Sequence, residues 1–568
     1  MSVVTTTVLS AGKKIDPTWQ LLSVDITREV NRIPRAQLVL LDGDAAKQVF
    51  PLSDSAVFEP GKEIEIRLRY EGKKGKPGQD RTVFKGLVIH HQVEAGPGGS
   101  QLVVELKDAA IGLTLSRKSE VHREKTDDAI IGDLIKKSKL TKGKIQATQP
   151  KHPEIVQYYC ADWDFILSRA GVHGLLVVVN DGEVSLRPMT VGGTEKHSFE
   201  FGIDEIHDFE MRADAAHQHA EVQGAAWDMK NQKPTAAAKA KAFKLSQGNL
   251  QGDRVAKAVG GGDASLTNPV PLDPKELQAW ANGIMAASRM SLLRGRIAVP
   301  GLADIELLDV MKVAGVGKRF NGKTLVTGIR HRVDGRGWQT DIQFGISADR
   351  FCLTPDIRDV PAAGLLPAVN GLQIGVVDKF EEDPDKEFRV KVILPGIDAK
   401  KGAVRARLAS PDAGKGRGFF FRPEKGDEVV VGFFNDDPRQ AVILGSLFGS
   451  RNAPPEDLSK LTEENTDKGL VAKEGAMLKF GDGDKKSGIV VETPGSDGKP
   501  IGLYLNDREK KHAIRLEDQY GNCIVMGERG ISIVTEKKLE VRNKDKKGYL
   551  YVMSSGDVEI KGSKVDVK

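Results

Sequence analysis

The stretch GDEVVVGFFNDDPRQAVILGSLFGS, from Gly426 to Ser450, places two apolar runs on either side of a short polar segment. Both runs are rich in Val and Ile, and the segment from Asn435 to Gln440 carries the Asn, Asp and Pro typical of a tight turn. The pattern predicts a β-hairpin. None of its side chains forms a group suited to chemistry.

The hairpin belongs to a unit from Leu372 to Ser450 whose size suits a five-stranded barrel of the OB type. Its other candidate strands are QIGVVDKF, FRVKVILP, VRARLAS and GFFFRP. Such a barrel binds single-stranded nucleic acid when aromatic side chains stack on bases along a basic groove. Phe419, Phe420 and Phe421 are consecutive, so at most alternate members share one face. We therefore interpret them as core and subunit contacts.

Most of the chain has the period of β-strands. EIEIRLRY alternates Ile64, Ile66 and Leu68 with charged residues, and VFKGLVIHHQV and QLVVELKD continue the pattern between turns rich in Gly and Pro. Helices are predicted in three places: from Thr126, over roughly 164–170, and over 274–292. Regular alternation of strand and helix is missing, which argues against a parallel α/β enzyme fold.

Composition excludes several classes of protein. A chain of 568 residues divides into roughly three to five domains. Its 84 basic and 79 acidic residues leave a formal charge of +5, too little to indicate a dedicated nucleic-acid surface. Cys160, Cys352 and Cys523 are far apart, which predicts free thiols in a reducing compartment. We expect no signal peptide, and no apolar run reaches the ~18 residues of a membrane span.

From Asn522 onward the chain consists of short alternating segments, among them NCIVM, GISIV, KLEVR, YLYVM and GDVEI. Segments start near Asn522, Gly530 and Lys538, about eight residues apart, which is typical of a stacked β repeat. Each segment has two or three inward side chains and cannot close a core by itself. The repeat fits either a single-chain solenoid or three chains wound around one axis.

Together these stretches resemble the VgrG-type spike proteins of contractile injection systems, which are related to the hub and spike of contractile phage tails. VFEPGKEIEIRLRY with TVFKGLVIHH is similar to the family's first hub barrel, and VQGAAWD with FNGKTLVTGIRHRVDGRGWQT to the second. QYYCADWDFILSRAGVHGLLVVVNDGEV is similar to the segment between them. The hairpin resembles the family's OB signature, carried here by Gly426, Asp427, Glu428, Asn435, Asp437, Pro438 and Gly445.

The resemblance implies a mainly β fold with two hub-type β-barrels that carry helical insertions, an OB-fold barrel and a C-terminal trimeric β-helix. The implied bounds are 1–120 for the first hub barrel, 121–200 for a helix-containing α+β hub segment, 201–360 for the second hub barrel with a Lys/Ala/Gly-rich tract over 228–269, 361–371 for a linker, 372–450 for the OB-fold barrel, 451–470 for a second linker, and 471–568 for the β-helix spike. The tract itself is predicted to be an exposed loop or hairpin.

The implied function is that of a structural hub and membrane-puncturing spike. The chain would form a homotrimer that joins a hexameric inner tube to a tip protein and helps to deliver cargo into a target cell. The implied partners are an Hcp-like inner-tube protein, baseplate proteins, effector cargo and a PAAR-type tip protein, which would contact Val565, Val567 and Lys568. Nucleic acid is not among them, and a target membrane is met only by mechanical puncture. Assembly is expected in the bacterial cytoplasm without a signal peptide, and firing would deliver the particle to the extracellular space or the target cell.

No catalytic, metal or cofactor site is predicted. His217 and His219 share a strand face, but a solvated face explains them better than a metal site. AGKGRG, from Ala413 to Gly418, lacks the spacing of a phosphate-binding loop. About twenty residues separate the barrel from the repeat, too few for an enzyme domain. We expect no enzymatic activity. The alternatives are a cell-wall-degrading or carbohydrate-binding tail protein, and an OB-fold nucleic-acid binder.

Overall fold

The computed structural model describes residues 3–71, 79–228, 233–268, 272–349, 351, 369–395, 403–459, 463–482, 488–507, 512–544 and 547–566. The chain divides into two compact units, residues 1–359 and 360–568. Strands dominate both units, which confirms the predicted mainly β class. Within the described ranges, no helix is both long enough and apolar enough to cross a membrane.

The first unit contains four helices and the first 23 strands of the described chain. The helices are α1 (Asp127–Lys137), α2 (Asp162–Val172), α3 (Gly252–Ala258) and α4 (Pro274–Ser291). The strands are β1 (Val4–Ser10), β2 (Lys13–Lys14), β3 (Leu21–Glu29), β4 (Arg35–Leu41), β5 (Glu63–Tyr70), β6 (Arg81–Gly96), β7 (Gly99–Lys107), β8 (Arg117–Lys125), β9 (Thr141–Ile145), β10 (His152–Ala161), β11 (Leu175–Asn180), β12 (Glu183–Pro188), β13 (His197–Glu200), β14 (Asp208–Ala213), β15 (Val222–Asp228), β16 (Lys233–Pro234), β17 (Ala238–Lys239), β18 (Ser246–Gln247), β19 (Ala264–Asn268), β20 (Leu293–Pro300), β21 (Val310–Ala314), β22 (Gly322–Asp334) and β23 (Gly337–Phe344).

A 14-stranded sheet forms the largest part of this unit. Its main path is β14-β20-β23-β22-β3-β4-β7-β6-β5-β1-β2, with β18 and β21 paired to β22 and β13 paired to β21. Two separate cores lie along it, one that includes Ile64 and Leu106 and one that includes Ile297 and Ile342. Antiparallel pairing of β22 with β3 joins the two halves. The sequence predicts two hub barrels here; the structure has one continuous sheet with two cores, and closure of each half into a barrel stays a prediction.

Helices α1 and α2 share a third core with β11 and β12. Helix α1 begins after Thr126, as predicted, and its two acidic residues in the first turn and two lysines in the last turn complement the helix dipole. Helix α2 is longer than predicted, and α4 matches its prediction to one residue. The sequence missed α3, which lies inside the 228–269 tract together with short strands paired to β15.

The second unit contains a barrel followed by two sheets. Its strands are β24 (Gln373–Val377), β25 (Val390–Ile393), β26 (Ala403–Leu408), β27 (Ala413–Gly414), β28 (Arg417–Gly418), β29 (Glu428–Phe433), β30 (Ala441–Ser446), β31 (Asp467–Val471), β32 (Met477–Gly481), β33 (Gly488–Pro494), β34 (Pro500–Asp507), β35 (His512–Glu517), β36 (Cys523–Gly527), β37 (Gly530–Val534), β38 (Leu539–Arg542), β39 (Tyr549–Val552) and β40 (Val558–Lys561).

The barrel is closed and five-stranded, in the order β24-β25-β26-β30-β29. This confirms the predicted barrel and its hairpin, β29 with β30. Its interior is filled by Val, Leu, Ile and Ala side chains. At Gly375 a Cβ atom would lie 2.4 Å from Val392 Cγ1 and 2.9 Å from Val431 Cγ2, so the packed interior has room only for glycine there. The linker predicted over 361–371 lies mostly outside the described residues.

The C-terminal strands form two antiparallel meanders. Strands β31 to β37 make a seven-stranded sheet in sequence order, and β38, β39 and β40 make a three-stranded sheet. Each strand pairs with the one before and the one after it, so a single chain supplies flat rows of strands and not the coils of a single-chain solenoid. The predicted starts near Asn522, Gly530 and Lys538 each fall within one residue of a strand start.

A cluster of charged side chains is buried in the first unit. The Asp127 carboxylate has no exposed surface; His173 Nε2 lies 2.7 Å from it and His152 Nε2 lies 3.0 Å from it. Arg169 donates to Asp127 from Nε at 2.7 Å and from Nη2 at 2.9 Å, and Nη2 also donates to Glu276 at 2.7 Å. The cluster therefore connects α1, β10, α2 and α4.

The cluster changes the titration of Asp127. Burial by itself would raise the pKa of this carboxyl, but the hydrogen bonds from His173, Arg169 and His152 and the charge of Arg169 outweigh burial, so the pKa lies well below its usual value. A carboxyl whose pKa is lower in the folded than in the unfolded chain stabilises the fold above its unfolded pKa, about 3.9. This contribution is lost as pH falls through the folded pKa.

We expect Asp127→Asn to lower the free energy of unfolding of the first unit by about 3 kcal/mol at neutral pH, because Arg169 loses the fully buried one of its two carboxylate partners. The loss of stability below about pH 4 should also become shallower, because the titrating group is gone. Tryptophan fluorescence measures this unfolding, since all five tryptophans lie in this unit. Asp133→Asn is the control: its half-exposed pair with Lys125 should contribute less than about 1 kcal/mol. Equal losses in both variants would contradict this assignment.

Candidate assembly surfaces of the second unit

The turn between β29 and β30 is held by its own side chains. Asn435 and Asp436 have φ angles of +52° and +55°, which Asn and Asp tolerate better than most other residues. The Asp437 carboxylate accepts hydrogen bonds from the backbone N–H and from Nε of Arg439, both at 2.9 Å. The bond from the Arg439 side chain is the main cause that lowers the pKa of Asp437 to about 2.

The remaining signature residues also act through the backbone. Gly426, at φ +91°, donates its N–H to the Val377 carbonyl at 2.9 Å. Asp427 accepts the backbone N–H of Glu424 at 2.8 Å, and Glu428 begins β29. These contacts fix how the chain enters the hairpin.

Pro438 lies within the turn, and Gly445 pairs with Val430 beside a bulge in β29 and β30. The signature residues are thus spread along one hairpin, and they do not converge on a pocket. Of the residues predicted to contact a tip protein, Val565 follows β40 and is half exposed. Val567 and Lys568 lie outside the described residues.

One face of the seven-stranded sheet carries an unbroken row of aliphatic side chains. Each member is directly opposite the next in the strand register, one from each strand: Leu470, Leu478, Val491, Leu503, Leu516, Ile524 and Ile533. At ~4.8 Å between strands the row is about 29 Å long. We call it the first ladder. It lines an open groove of about 1050 Å³.

A second ladder runs beside the first on the same face, because side chains two residues apart in a strand point the same way. It consists of Phe480, Ile489, Leu505, Ile514, Met526 and Ile531. Ile533 is 50% exposed and Ile531 is 71% exposed. Within the described residues, the sheet therefore presents a wide apolar surface that is left partly uncovered.

The opposite face is mixed, because Tyr504 and Arg515 lie in one register row with Val490 and Val525. The Arg515 guanidinium lies 3.9 Å from the centre of the Tyr504 ring, and Tyr504 donates its hydroxyl hydrogen to Glu492. Burial and this hydrogen bond raise the pKa of Tyr504 to about 12. Arg515 also pairs with Glu517. The charged side chains of this face thus pair with one another.

The three-stranded sheet repeats the arrangement. On one face, Val541, Leu550 and Ile560 are in register, as are Leu539, Val552 and Val558. The other face carries two stacked tyrosine rings, whose centres are 4.3 Å apart, with lysine and glutamate side chains around them. An apolar face therefore continues as far as β40, and in this sheet the opposite face is polar.

Phe419, Phe420 and Phe421 are not core residues, and the sequence interpretation was wrong on that point. All three are more than half exposed, and they follow the short strand β28 in an irregular segment in place of the strand expected in GFFFRP. Phe421 lines the end of the first-ladder groove. Three consecutive aromatic residues cannot all face one interior, and here the small closed barrel is already filled.

The polar groups singled out in the sequence have ordinary partners. His217 Nδ1 lies 2.9 Å from an Asp214 oxygen, and Arg417 of the AGKGRG segment pairs with Asp412 at 2.6 Å. Over the described ranges, no group of three or more His, Cys, Asp or Glu residues could hold a metal ion. Cys160 and Cys523 are free thiols, as predicted; Cys352 lies outside the described residues.

Two family models match this chain. The first, the Alg8 N-terminal domain, matches residues 1–335, and the second, the Type VI secretion system/phage-baseplate injector OB domain, matches residues 373–448. A curated relative is the actin cross-linking toxin VgrG1 of Vibrio cholerae serotype O1. It is 33% identical over 99 residues, which is 16% of this chain and 9% of the relative. The chain thus matches less than a tenth of that relative's length.

Two solved structures are also similar. The tail protein of Neisseria meningitidis MC58 has 14% identity and a TM-score of 0.44, over 61% of this chain and 98% of that chain. A chain of the half-lidded Francisella PdpA–VgrG complex has 9% identity and a TM-score of 0.39, over 94% of this chain and 87% of that chain. Both TM-scores are below 0.5, so the class of this protein is inferred from the sequence matches alone.

The injector OB domain and the VgrG relative define the class: the chain is a VgrG-type baseplate-spike protein, structural and phage-tail-like. Since the first family model spans more than half of its length, the chain belongs to the family of the Alg8 N-terminal domain.

We expect Asn435→Val to weaken the barrel and Asn435→Gly to leave it nearly unchanged. A β-branched residue at positive φ costs about 1–2 kcal/mol, whereas glycine adopts that conformation freely. The measurement is hydrogen exchange of the β29 and β30 amides, because no tryptophan lies in this unit. Equal protection in the two variants would show that the turn conformation does not limit stability.

Proposed function

We propose that this chain is the structural hub and puncturing spike of a contractile injection machine, and that it works as a homotrimer. In this proposal the C-terminal sheets of three copies enclose one shared apolar core, as a three-stranded β-helix. The observation that supports it is the pair of aliphatic ladders on the uncovered face of β31 to β37.

An uncovered face of this size is costly in water. Monomeric proteins rarely expose contiguous apolar patches larger than a few hundred Å². Full burial of one Leu, Ile, Val, Phe or Met side chain contributes about 1.5–3 kcal/mol, and the two ladders contain thirteen such positions, seven and six. Association through this face would therefore be strongly favourable.

In this proposal, other copies of the same chain cover the apolar face. Every copy presents the same apolar face, and a closed symmetric assembly buries all of these faces at once. The opposite face, with the paired side chains of Tyr504 and Arg515, would then lie outside. Two sheets packed face to face would also bury the ladders; the number three rests on the VgrG type.

The partners follow from the same class. The first unit would join an Hcp-like inner tube and baseplate proteins, and a PAAR-type tip protein would cover the last strand. β40 is the edge strand of its sheet, and an open edge is a template for another chain. Cargo would be supplied by other chains, and the target envelope would be crossed by force from sheath contraction.

We expect Ile533→Asp to break the trimer and Ser532→Asp to leave it intact. The two positions are adjacent in β37, but Ile533 belongs to the first ladder and Ser532 faces the other way. Light scattering should give a native mass near three times 61.7 kDa for the wild type and Ser532→Asp, and near 61.7 kDa for Ile533→Asp. A monomeric wild type, or an unaffected Ile533→Asp trimer, would overturn the shared core.

We also propose that the chain acts mechanically and has no enzymatic activity. Purified protein should release no soluble fragments from peptidoglycan above the buffer background, whereas a muramidase in the same assay should. Release by the wild-type chain would favour the alternative of a cell-wall-degrading tail protein. This assay is independent of the oligomeric state.

A further inference from the structure

The loop between β24 and β25 is built around one carboxylate. Asp383 accepts backbone N–H groups of Asp385, Glu387 and Arg389 at 3.3, 3.1 and 3.2 Å. It also accepts Nε and a terminal nitrogen of the Arg389 guanidinium at 2.9 and 2.7 Å. Five donors on one carboxylate hold this loop in a single conformation.

The loop presents an aromatic side chain to solvent. Phe388 is 82% exposed, the highest exposure among the large apolar residues described. Its φ angle is +56°, which is unfavourable for an aromatic residue. No packing inside the barrel compensates for this conformation. Strain of this kind at an exposed position points to a contact made outside the chain.

Arg422, which lines the same pocket as Phe388, has no carboxylate partner among the described residues. The Arg422 guanidinium carbon is 5.5 Å from the ring centre of Phe380 and 5.2 Å from that of Phe420. The neighbouring cations Lys379 and Lys391 do have a carboxylate partner, since both pair with Glu381. In the part of the chain that the structure describes, no acidic residue pairs with Arg422.

These groups share one concavity. Phe380, Phe388 and Arg422 line a pocket of about 500 Å³. The rings of Phe380 and Phe388 can hold one large apolar side chain between them. The Arg422 guanidinium lies with its face against an aromatic ring, so its edge can donate two hydrogen bonds to one carboxylate. The geometry therefore fits an apolar side chain next to an acidic group.

We propose that this pocket is a docking site for a peptide segment of a partner protein, one that carries an aromatic or aliphatic side chain beside an Asp or Glu. Arg422 binds the carboxylate, and Phe380 and Phe388 hold the apolar side chain. The lining contains five cations, three acids and two aromatic rings, so its charge is only weakly positive; the cations are Lys379, Lys386, Arg389, Lys391 and Arg422, and the acids are Glu381, Glu382 and Asp383. A small positive excess beside an apolar pocket suits a single carboxylate of a peptide better than a chain of phosphates, which needs a longer row of cations. This site goes beyond the proposed spike function and does not depend on it.

The experiment uses the full-length protein, immobilised, and a displayed library of short random peptides. The wild type should enrich peptides in which Asp or Glu neighbours Leu, Ile, Phe, Tyr or Trp. A synthetic copy of an enriched peptide should bind the wild type about tenfold more tightly than Arg422→Gln or Phe388→Ala. Phe448→Ala and Arg451→Gln, which change exposed residues outside the pocket, are the matched controls and should bind normally.

A double-mutant cycle tests the assigned pair. Replacing the acidic residue of the peptide by its amide should weaken binding to the wild type about tenfold and should have little further effect on Arg422→Gln. Arg422→Lys and Phe388→Leu serve as second variants if the first ones unfold; Arg422→Lys should lose most of the binding, because Lys cannot form the bidentate contact.

Three results would overturn the proposal. The first is no enrichment by the wild type over Phe388→Ala. The second is enrichment of the same acidic peptides by folded Arg422→Gln. The third is a lower native mass of Phe388→Ala or Arg422→Gln with unchanged thermal midpoints, which would make this surface a contact between copies of the chain.

Discussion

The second unit depends on the register of its C-terminal strands. Side chains alternate between two faces, so a slip of one residue in any pair would move charged side chains into the ladders and aliphatic ones out. Short turns prevent this slip. Only Glu528 and Arg529 connect β36 to β37, and the flanking Gly527 and Gly530 are directly paired. The turns fix the ladders, and the ladders determine which face must be covered.

The first unit is held by different means. Its sheet has two apolar cores of its own, and its helical part is connected through the buried charges of Asp127, Arg169 and Glu276. A buried ion cluster adds little net stability, but each member becomes costly to remove once the others are in place. The first unit thus buries its apolar side chains in cores of its own, whereas the second unit has an apolar face that is left partly uncovered.

Local patterns in the sequence were enough to predict much of this structure. Ile64, Ile66 and Leu68 of EIEIRLRY are fully buried, and the hairpin from Gly426 closes the predicted barrel. Contacts between residues that are far apart in the sequence could not be predicted. Asp127 and Glu276 are far apart in sequence, and the first ladder exists only once seven strands are paired. Helix α3 begins with glycine and has only seven residues, too short for a clear period. The contact of Arg422 with Phe380 could not be predicted, because the two residues are far apart in the barrel sequence.

The sequence-order pairing of β31 to β37 makes the length of this sheet adjustable. Every strand pairs only with its immediate neighbours in the chain, so a hairpin of two strands can be inserted or deleted without disturbing any other pairing. Such an event preserves the direction of each remaining strand and the alternation of its faces. The length of this sheet can therefore change during evolution in steps of about 10 Å, which is two strand spacings, while the rest of the protein stays the same.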